Sequence, residues 1–129
     1  MYVNNKTNSS YSFVAPEIEG DGTVVRHFPT SAVKTVTLSS NAAEVDVEHA
    51  FEMLNLGTLA AASTLTLKPS QNLEVGDRVV VVWTEPGSAV GVAIKNGDTT
   101  LVSAANNKGS NSAVTKKELV WDGSTWVIL

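Results

Sequence analysis

The sequence contains no cysteine, and this absence excludes disulfide bonds, cysteine zinc sites and thiol catalysis. It also lacks any uncharged apolar run of about 18 residues, the length that a membrane-spanning helix needs. The N-terminal stretch has neither the basic start nor the apolar core of a secretory signal. We therefore expect no membrane partner, and a chain that stays inside the cell unless a larger assembly carries it out.

Basic residues are few in this chain. Nine Lys and Arg stand against 13 Asp and Glu, which gives a formal net charge of -4. Nucleic-acid affinity depends on clustered Lys and Arg, so we expect no nucleic-acid partner. The length of 129 residues suits one domain, or one domain with an extended arm.

Residues 1–32 are polar and irregular. Pro16, the turn-like residues 20–22 and Pro29 interrupt any helical or alternating pattern there. The segment nevertheless carries more apolar side chains than a disordered tail, because disorder follows low hydrophobicity. We predict an extended N-terminal arm over residues 1–32, covered by the same chain or by a neighbour, and a folded domain over residues 33–129.

Residues 33–129 consist of short runs rich in Val, Leu and Thr, separated by Gly, Asn, Asp, Ser and Pro. Such runs favour strands, since β-branched side chains lose little freedom on a pleated surface. About eight short strands at this spacing indicate an all-β sandwich or barrel, and we predict an antiparallel, jelly-roll-like β-sandwich. The predicted strands are 33–38, 43–51, 52–56 (a strand or a turn), 64–67, 73–83, 90–94, 100–103, 118–121 and 125–129.

Residues suited to catalysis are scarce. His27 and His49 are the only imidazoles, and their spacing does not place two ligands on one metal. His49 falls at an inward position between Val47 and Phe51 of a predicted strand. This position predicts a hydrogen-bonded core or interface histidine rather than a catalytic base.

Acidic residues form two patterns. Residues 17–22 copy the first half of a calcium loop, but Phe28 stands where a bidentate carboxylate should lie, so a solvated turn is the better interpretation. Glu44, Asp46 and Glu48 share one strand face, where charge keeps an exposed strand from pairing with other chains. We predict no catalytic residue, no cofactor and no metal, and hence a protein that is not an enzyme.

The three tryptophans are the residues best suited to binding a sugar. An exposed indole can stack on a sugar ring, so Trp83, Trp121 and Trp126 are candidates for a carbohydrate-binding face. Each lies within or beside a Val-rich strand, where an indole more often fills the core. We favour the core interpretation and keep sugar stacking as the alternative.

Three segments carry a resemblance to a known class of proteins. They are residues 64–67 (TLTL), residues 73–79 (LEVGDRV) and residues 118–129 (ELVWDGSTWVIL). Together these segments resemble the small β-sandwich modules of bacteriophage virion proteins. Those modules run from an apolar strand through a Val-Gly-Asp turn to a Val strand, and they end on an aromatic-Asp-Gly-x-x-Trp hairpin. Such modules occur in capsid decoration (auxiliary capsid) proteins, head fibres and tail-fibre knobs. The resemblance covers residues 51–129.

The resemblance implies a homotrimer whose sheets pack about a three-fold axis, with an N-terminal arm that engages the capsid. It implies a structural protein of the virion capsid surface, assembled in the host cytoplasm, that binds the major capsid protein or another virion protein. The chain lacks the shaft repeats of long fibres, which favours a compact capsid-surface protein. The alternative is a receptor-binding or glycan-binding knob. The attachment candidates in the arm are Tyr2, Tyr11, Phe13, Ile18 and Phe28.

Overall fold

The computed structural model describes residues 30–129, in which nine β-strands dominate. The strands are β1 (Ser31–Thr35), β2 (Ala42–Val47), β3 (Phe51–Thr58), β4 (Ser63–Pro69), β5 (Arg78–Thr84), β6 (Val92–Asn96), β7 (Thr99–Val102), β8 (Val114–Trp121) and β9 (Trp126–Ile128). Within residues 30–129, a three-residue 3-10 turn is the one helical element. No helix in this range has the length and hydropathy to cross a membrane. The all-β prediction is confirmed for this part of the chain.

The strands form two sheets between which the chain alternates. One sheet has five strands in the order β1-β3-β5-β8-β9, and the other has four in the order β2-β4-β6-β7. The chain from β1 to β6 therefore forms three successive coils: β1 with β2, β3 with β4, and β5 with β6. Each coil contributes one strand to each sheet. Neighbouring coils pair in parallel: β1 with β3 and β5 in one sheet, and β2 with β4 and β6 in the other.

The prediction of an antiparallel, jelly-roll-like sandwich is wrong in strand direction. Antiparallel pairing is confined to β5 with β8, β6 with β7 and β8 with β9. The side-chain period of two is the same for both pairing directions, so the sequence pattern does not distinguish them. Parallel neighbours need a crossover connection, which is usually a helix. Here the crossover is a strand of the opposite sheet, so no helical segment marks it in the sequence.

The hydrophobic core lies between the two sheets. Leu54 and Val81 project into it from the five-stranded sheet, and Leu65 and Ile94 project from the four-stranded sheet, all fully buried. Removing such side chains from water is the main favourable contribution to folding. The core therefore fixes which face of each strand points inward.

The first strand begins before the predicted domain boundary. Ser31 and Ala32 belong to β1, where they pair with Phe51 and Glu52 of β3. The folded domain thus includes Ser31 and Ala32, which the sequence assigned to the arm. Residues 1–29 lie outside the described part of the structure.

The predicted continuous strand over residues 43–51 is wrong. The chain turns at residues 48–50 and passes from β2 in one sheet to β3 in the other. Val45 and Val47 are buried before the turn, whereas Glu52 and Leu54 are buried after it. The inward parity therefore changes from odd to even residues, and Phe51 lies half-buried on the outer face.

Two tight turns join antiparallel strands in the C-terminal part of the chain. Gly97 and Asp98 connect β6 to β7, where Asn96 pairs with Thr99, and Gly97 has a φ of 56°. Asp122 and Gly123 lead from β8 toward β9, where the Asp122 N–H donates to the Thr125 carbonyl over 3.0 Å. Glycine adopts positive φ without steric cost, which is why glycine occupies both turns.

Candidate functional site

The outward face of the four-stranded sheet is polar. Glu44 and Asp46 of β2 and Lys68 of β4 are exposed there, and Lys68 Nζ lies 3.4 Å from a Glu44 carboxylate oxygen. Thr64 and Thr66 lie on the same face of β4. Water solvates such a surface well, so this face needs no partner to cover it. The structure thus has the charged strand face that the sequence predicted for residues 44–48.

The outward face of the five-stranded sheet carries a row of apolar residues that crosses several strands. Pairing places Val33, Met53 and Val80 in one row across β1, β3 and β5. Val33 is 75% exposed and Val127, at the far edge of the sheet, is 42% exposed. We call this set the apolar face; its members are Val33, Phe51, Met53, Val80, Val82, Val120 and Val127.

One ion pair lies within the apolar face. Arg78 of β5 contacts Glu118 of β8 through an Nη1–Oε2 distance of 2.6 Å, and each side chain is about half exposed. The two residues are diagonal neighbours on adjacent strands, close enough for long side chains to interact. These two charges neutralise each other. Lys116, in register with Val82, is a further charged residue on this side of the sheet.

Glu85, the residue after β5, is a buried carboxylate that binds the Trp83 indole and two backbone segments. Its Oε2 accepts hydrogen bonds from Trp83 Nε1 (2.9 Å) and from the Gly109 N–H (2.8 Å). Its Oε1 accepts from the N–H groups of Val90 (2.9 Å) and Gly91 (3.1 Å). Burial raises the pKa of Glu85, but these hydrogen bonds outweigh it and lower the pKa from 4.5 to about 2. The Glu85 carboxylate remains ionised and holds loops together. A general acid must instead be protonated before it can donate its proton.

Glu52 performs a similar role where β2 turns into β3. Its Oε2 accepts from the N–H groups of Glu48 (2.8 Å) and His49 (3.0 Å), and His49 Nδ1 lies 2.9 Å away. Lys34 Nζ lies 3.0 Å from Oε1 and also donates to the Asp46 carbonyl (2.8 Å). Burial raises the pKa of Glu52, but these interactions together lower it below 4.5. The cluster ties β1 and β2, the two strands of the first coil, to the turn.

The residues considered for catalysis do not form one site. Glu44, Asp46 and Glu48 line a groove beside β2 and are exposed to solvent. His49 is not among the residues that line this groove and is hydrogen-bonded to Glu52. Residues 30–129 contain no group of three or more His, Asp or Glu side chains placed to hold a metal ion. His27 and the calcium-like residues 17–22 lie outside the described residues.

The tryptophans occupy two different environments. Trp83 is completely buried and Trp126 is 2% exposed, so neither ring offers a face to a sugar, and the sugar-stacking alternative does not hold for them. Trp121 is half-buried; its ring centroid lies 5.1 Å from that of Trp126, at an interplanar angle of 59°. Trp121 is therefore the one tryptophan of the three with exposed ring surface.

Sequence reasoning did not identify the apolar face. The signal that could have found it is the run Val79–Val82, because a continuous run of apolar residues is typical of a strand with two apolar faces. Val79 and Val81 are completely buried, whereas Val80 and Val82 are half-buried on the outward side. The second apolar face of this strand is therefore available to a partner. The attachment candidates Tyr2, Tyr11, Phe13, Ile18 and Phe28 lie outside the described residues.

The sequence matches no protein-family model and no curated protein.

Proposed function

We propose that this chain is a non-enzymatic structural protein of a bacteriophage particle. It acts as a homotrimeric auxiliary or decoration protein, or as a head fibre, on the capsid surface. The observation that carries the proposal is the apolar outward face of the five-stranded sheet. The resemblance of residues 51–129 to phage β-sandwich modules supports the assignment to a virion.

The apolar face has the extent of an interaction surface. It spans all five strands, or four inter-strand spacings of about 4.8 Å, which is about 19 Å. Exposed apolar patches of a few hundred Å² on a soluble protein mark binding sites. The outward face of the other sheet is polar, so burial of apolar area favours association through one face of the molecule. Three copies packed about an axis would bury this face in each subunit.

Light scattering on the purified chain tests the self-association. We expect a mass of about three subunits, and replacement Val80→Lys in the centre of the apolar face should yield a folded monomer with unchanged circular dichroism. Burying an unpaired ammonium group in an apolar interface is strongly unfavourable. The matched control is Thr66→Lys on the outward face of β4, which should leave the trimer intact. A wild-type chain that is monomeric at micromolar concentration contradicts the proposal.

The N-terminal segment supplies the attachment in this proposal. Tyr2, Tyr11, Phe13, Ile18 and Phe28 would contact the major capsid protein or a neighbouring virion protein. A segment that becomes ordered on binding loses entropy but can cover a large surface. Scattered aromatic side chains in a polar background suit this role, because aromatic residues provide much of the binding energy at protein interfaces.

A receptor-binding or glycan-binding knob is the second candidate function. The partial exposure of Trp121 favours it, since an accessible indole can stack on a sugar. A glycan array probed with the full chain and with Trp121→Ala tests it. Binding that the substitution abolishes supports the knob, and no binding of wild type at high micromolar concentration removes it.

A further inference from the structure

Strand β8 of the five-stranded sheet is only partly covered by its neighbour β9. β9 pairs with residues 119–121 of β8, and its last contact is the Leu129 N–H, which donates to the Glu118 carbonyl. Within residues 30–129, no strand pairs with residues 114–117 on the side away from β5. Residues 114–117 therefore form a free sheet edge, which we call the β8 edge.

The β8 edge presents backbone hydrogen-bonding groups to its surroundings. The Trp121 N–H donates to the Asp77 carbonyl, so the odd residues of β8 direct their backbone groups toward β5. Successive residues of an antiparallel strand alternate in this direction, so Val114 and Lys116 each direct an N–H and a carbonyl to the free side. An extended segment of another chain can pair with such groups, which is the recognition mode known as strand addition.

Two lysines make the β8 edge positive. Lys116 is exposed on the outward side of the sheet, and Lys117 is half-buried beside the inward residue Val81. Neither ammonium group has an ion-pair partner among residues 30–129. Lysine on an edge strand hinders pairing with an arbitrary strand, whereas opposite charges on neighbouring strands stabilise the pair. The charge therefore selects an acidic partner over a neutral or a basic one.

We propose that the β8 edge binds an extended acidic segment of a partner protein by strand addition. Lys116 and Lys117 are consecutive, so their side chains point to opposite faces of the sheet. An antiparallel partner strand would oppose them with two consecutive acidic residues, one on each face. Further along this strand, an apolar side chain would lie opposite Val114, which is 73% exposed. The sequence that fits the edge is therefore acidic-acidic-x-apolar.

A second copy of this chain matches the β8 edge less well than such a segment. Two β8 edges brought together would oppose lysines to lysines, which is destabilising. The acidic strand β2 carries Glu44 and Asp46 at alternate positions on one side, so it matches Lys116 but not Lys117. Lys68 already lies 3.4 Å from Glu44 and 4.0 Å from Asp46. We therefore assign the edge to a different protein with consecutive acidic residues.

This inference rests on strand order and charge and not on the proposed function. The proposed trimer buries the outward apolar face, whereas strand addition uses the border of the same sheet. A trimeric chain that binds no acidic segment would overturn the inference alone. A monomeric chain that binds one would overturn the proposed trimer alone.

Fluorescence anisotropy on the full chain tests the inference with labelled synthetic peptides. The acidic probe is Thr-Thr-Asp-Asp-Thr-Val-Thr, and the comparison peptide has Lys-Lys in place of Asp-Asp. We expect saturable binding of the acidic probe that weakens as the salt concentration rises. The basic peptide should bind at least about tenfold more weakly, because like charges across an interface are unfavourable. Equal binding of the two peptides, or no binding of the acidic probe, would overturn the proposal.

Charge reversal tests whether these two lysines select the probe. The double variant of Lys116→Glu with Lys117→Glu should lose the acidic probe and bind the basic peptide instead, because the attraction changes sign. The matched control is Lys95→Glu, which reverses a lysine of β6 in the other sheet. It should leave binding of the acidic probe within about twofold of the wild type. A loss in the control as large as that in the double variant would contradict the assignment to the β8 edge.

Hydrogen exchange tests the backbone contact separately from the charge. The Val114 and Lys116 amides should exchange fast in the free chain and about tenfold more slowly with the acidic probe bound. Protection of these amides without any peptide would show that the edge is already occupied. Protection that appears only elsewhere would place the probe at another surface. Either result overturns the proposal.

A proline substitution removes one hydrogen bond of the added strand without changing the charge. Val114→Pro deletes an N–H that faces the free side, a position where an edge strand tolerates proline. It leaves both lysines and the pairing with β5 in place, so circular dichroism should be unchanged. Binding of the acidic probe should weaken about fivefold. A folded variant with wild-type affinity would show that the probe does not bind as a strand.

Discussion

Two buried glutamates hold the backbone at the points where strands leave their sheets. Glu52 fixes the turn between β2 and β3 by accepting from two consecutive N–H groups. Glu85 gathers the Val90, Gly91 and Gly109 amides beyond the end of β5. A buried carboxylate is stable only when it is paired or hydrogen-bonded. These residues are therefore sites where a single substitution should affect the whole domain.

The first prediction concerns Glu85 and pH. The pKa of Glu85 is about 2 in the folded chain against 4.5 for the free group, so its contribution is fully present above pH 4.5 and is lost as the pH falls toward 2. The difference corresponds to about 3 kcal/mol. Urea unfolding of wild type should show this loss between about pH 4.5 and pH 2. Glu85→Gln should be less stable by about 2 to 4 kcal/mol at pH 7 and should lack this part of the pH dependence.

The control for this experiment is Glu48→Gln, which changes an exposed carboxylate near the other glutamate. It should change the free energy of unfolding by less than about 0.5 kcal/mol. Equal pH profiles for wild type and Glu85→Gln would contradict the assigned role of Glu85.

The second prediction concerns Gly91, which has a φ of 81°. A Cβ atom at this position would overlap the carbonyl oxygen of Ala104. Gly91→Ala should therefore cost about 2 kcal/mol or more, from strain at positive φ together with overpacking. Gly87 is the matched control, because a Cβ there meets no atom within 4 Å. Thermal unfolding of the two alanine variants measures the difference, and equal midpoints would show that the loop adapts.

At the level of strands, the sequence predicted where the strands lie better than it predicted where the chain turns from one sheet to the other. The runs rich in Val, Leu and Thr located β2, β4 and β6. The corner at residues 48–50 was missed because it contains no glycine or proline. A side chain from the following strand, Glu52, holds this corner instead. Such a contact becomes visible only when the fold brings the groups together.

The third prediction concerns the hairpin of β8 and β9. Trp126 is 2% exposed within the core, whereas its cross-strand partner Trp121 is half-buried. Trp126→Ala should cost about 3 to 5 kcal/mol, as expected for a large aromatic residue removed from a core. Trp121→Ala should cost about 1 kcal/mol, the value of a cross-strand aromatic pair. Chemical denaturation of both variants gives the comparison, and similar costs would contradict the different burial of the two rings.

For the whole molecule, the sequence predicted the class of fold but not the order and direction of the strands in the two sheets. Burial of Val79 and Val81 could be read from a valine run, and the two-layer architecture followed from strand spacing. Parallel pairing could not be deduced, since it depends on which strands meet after a full coil of chain. The apolar face was missed for a related reason. Only the sheet order shows that Val33, Met53 and Val80 lie side by side.

The fourth prediction concerns the attachment of the whole protein to a particle. Removal of residues 1–29 leaves the chain from Thr30, just before β1 begins. We expect this truncated chain not to join purified phage particles, because the proposed contacts are made by the removed segment. Quantitative immunoblotting of particles assembled with either form measures incorporation. Thr66→Lys, on the polar outward face of β4, is the control and should join particles as the wild type does. Truncated chain found at wild-type copy number would contradict the arm assignment.

The sheet order also determines where a foreign cargo would be displayed. Strands β1 and β9 form opposite borders of the five-stranded sheet, separated by about 19 Å. A reporter fused behind β9 would therefore project from the border farthest from the N-terminal segment. If the border at β1 is anchored to a surface, the fused reporter would not compete with the anchoring contacts for space.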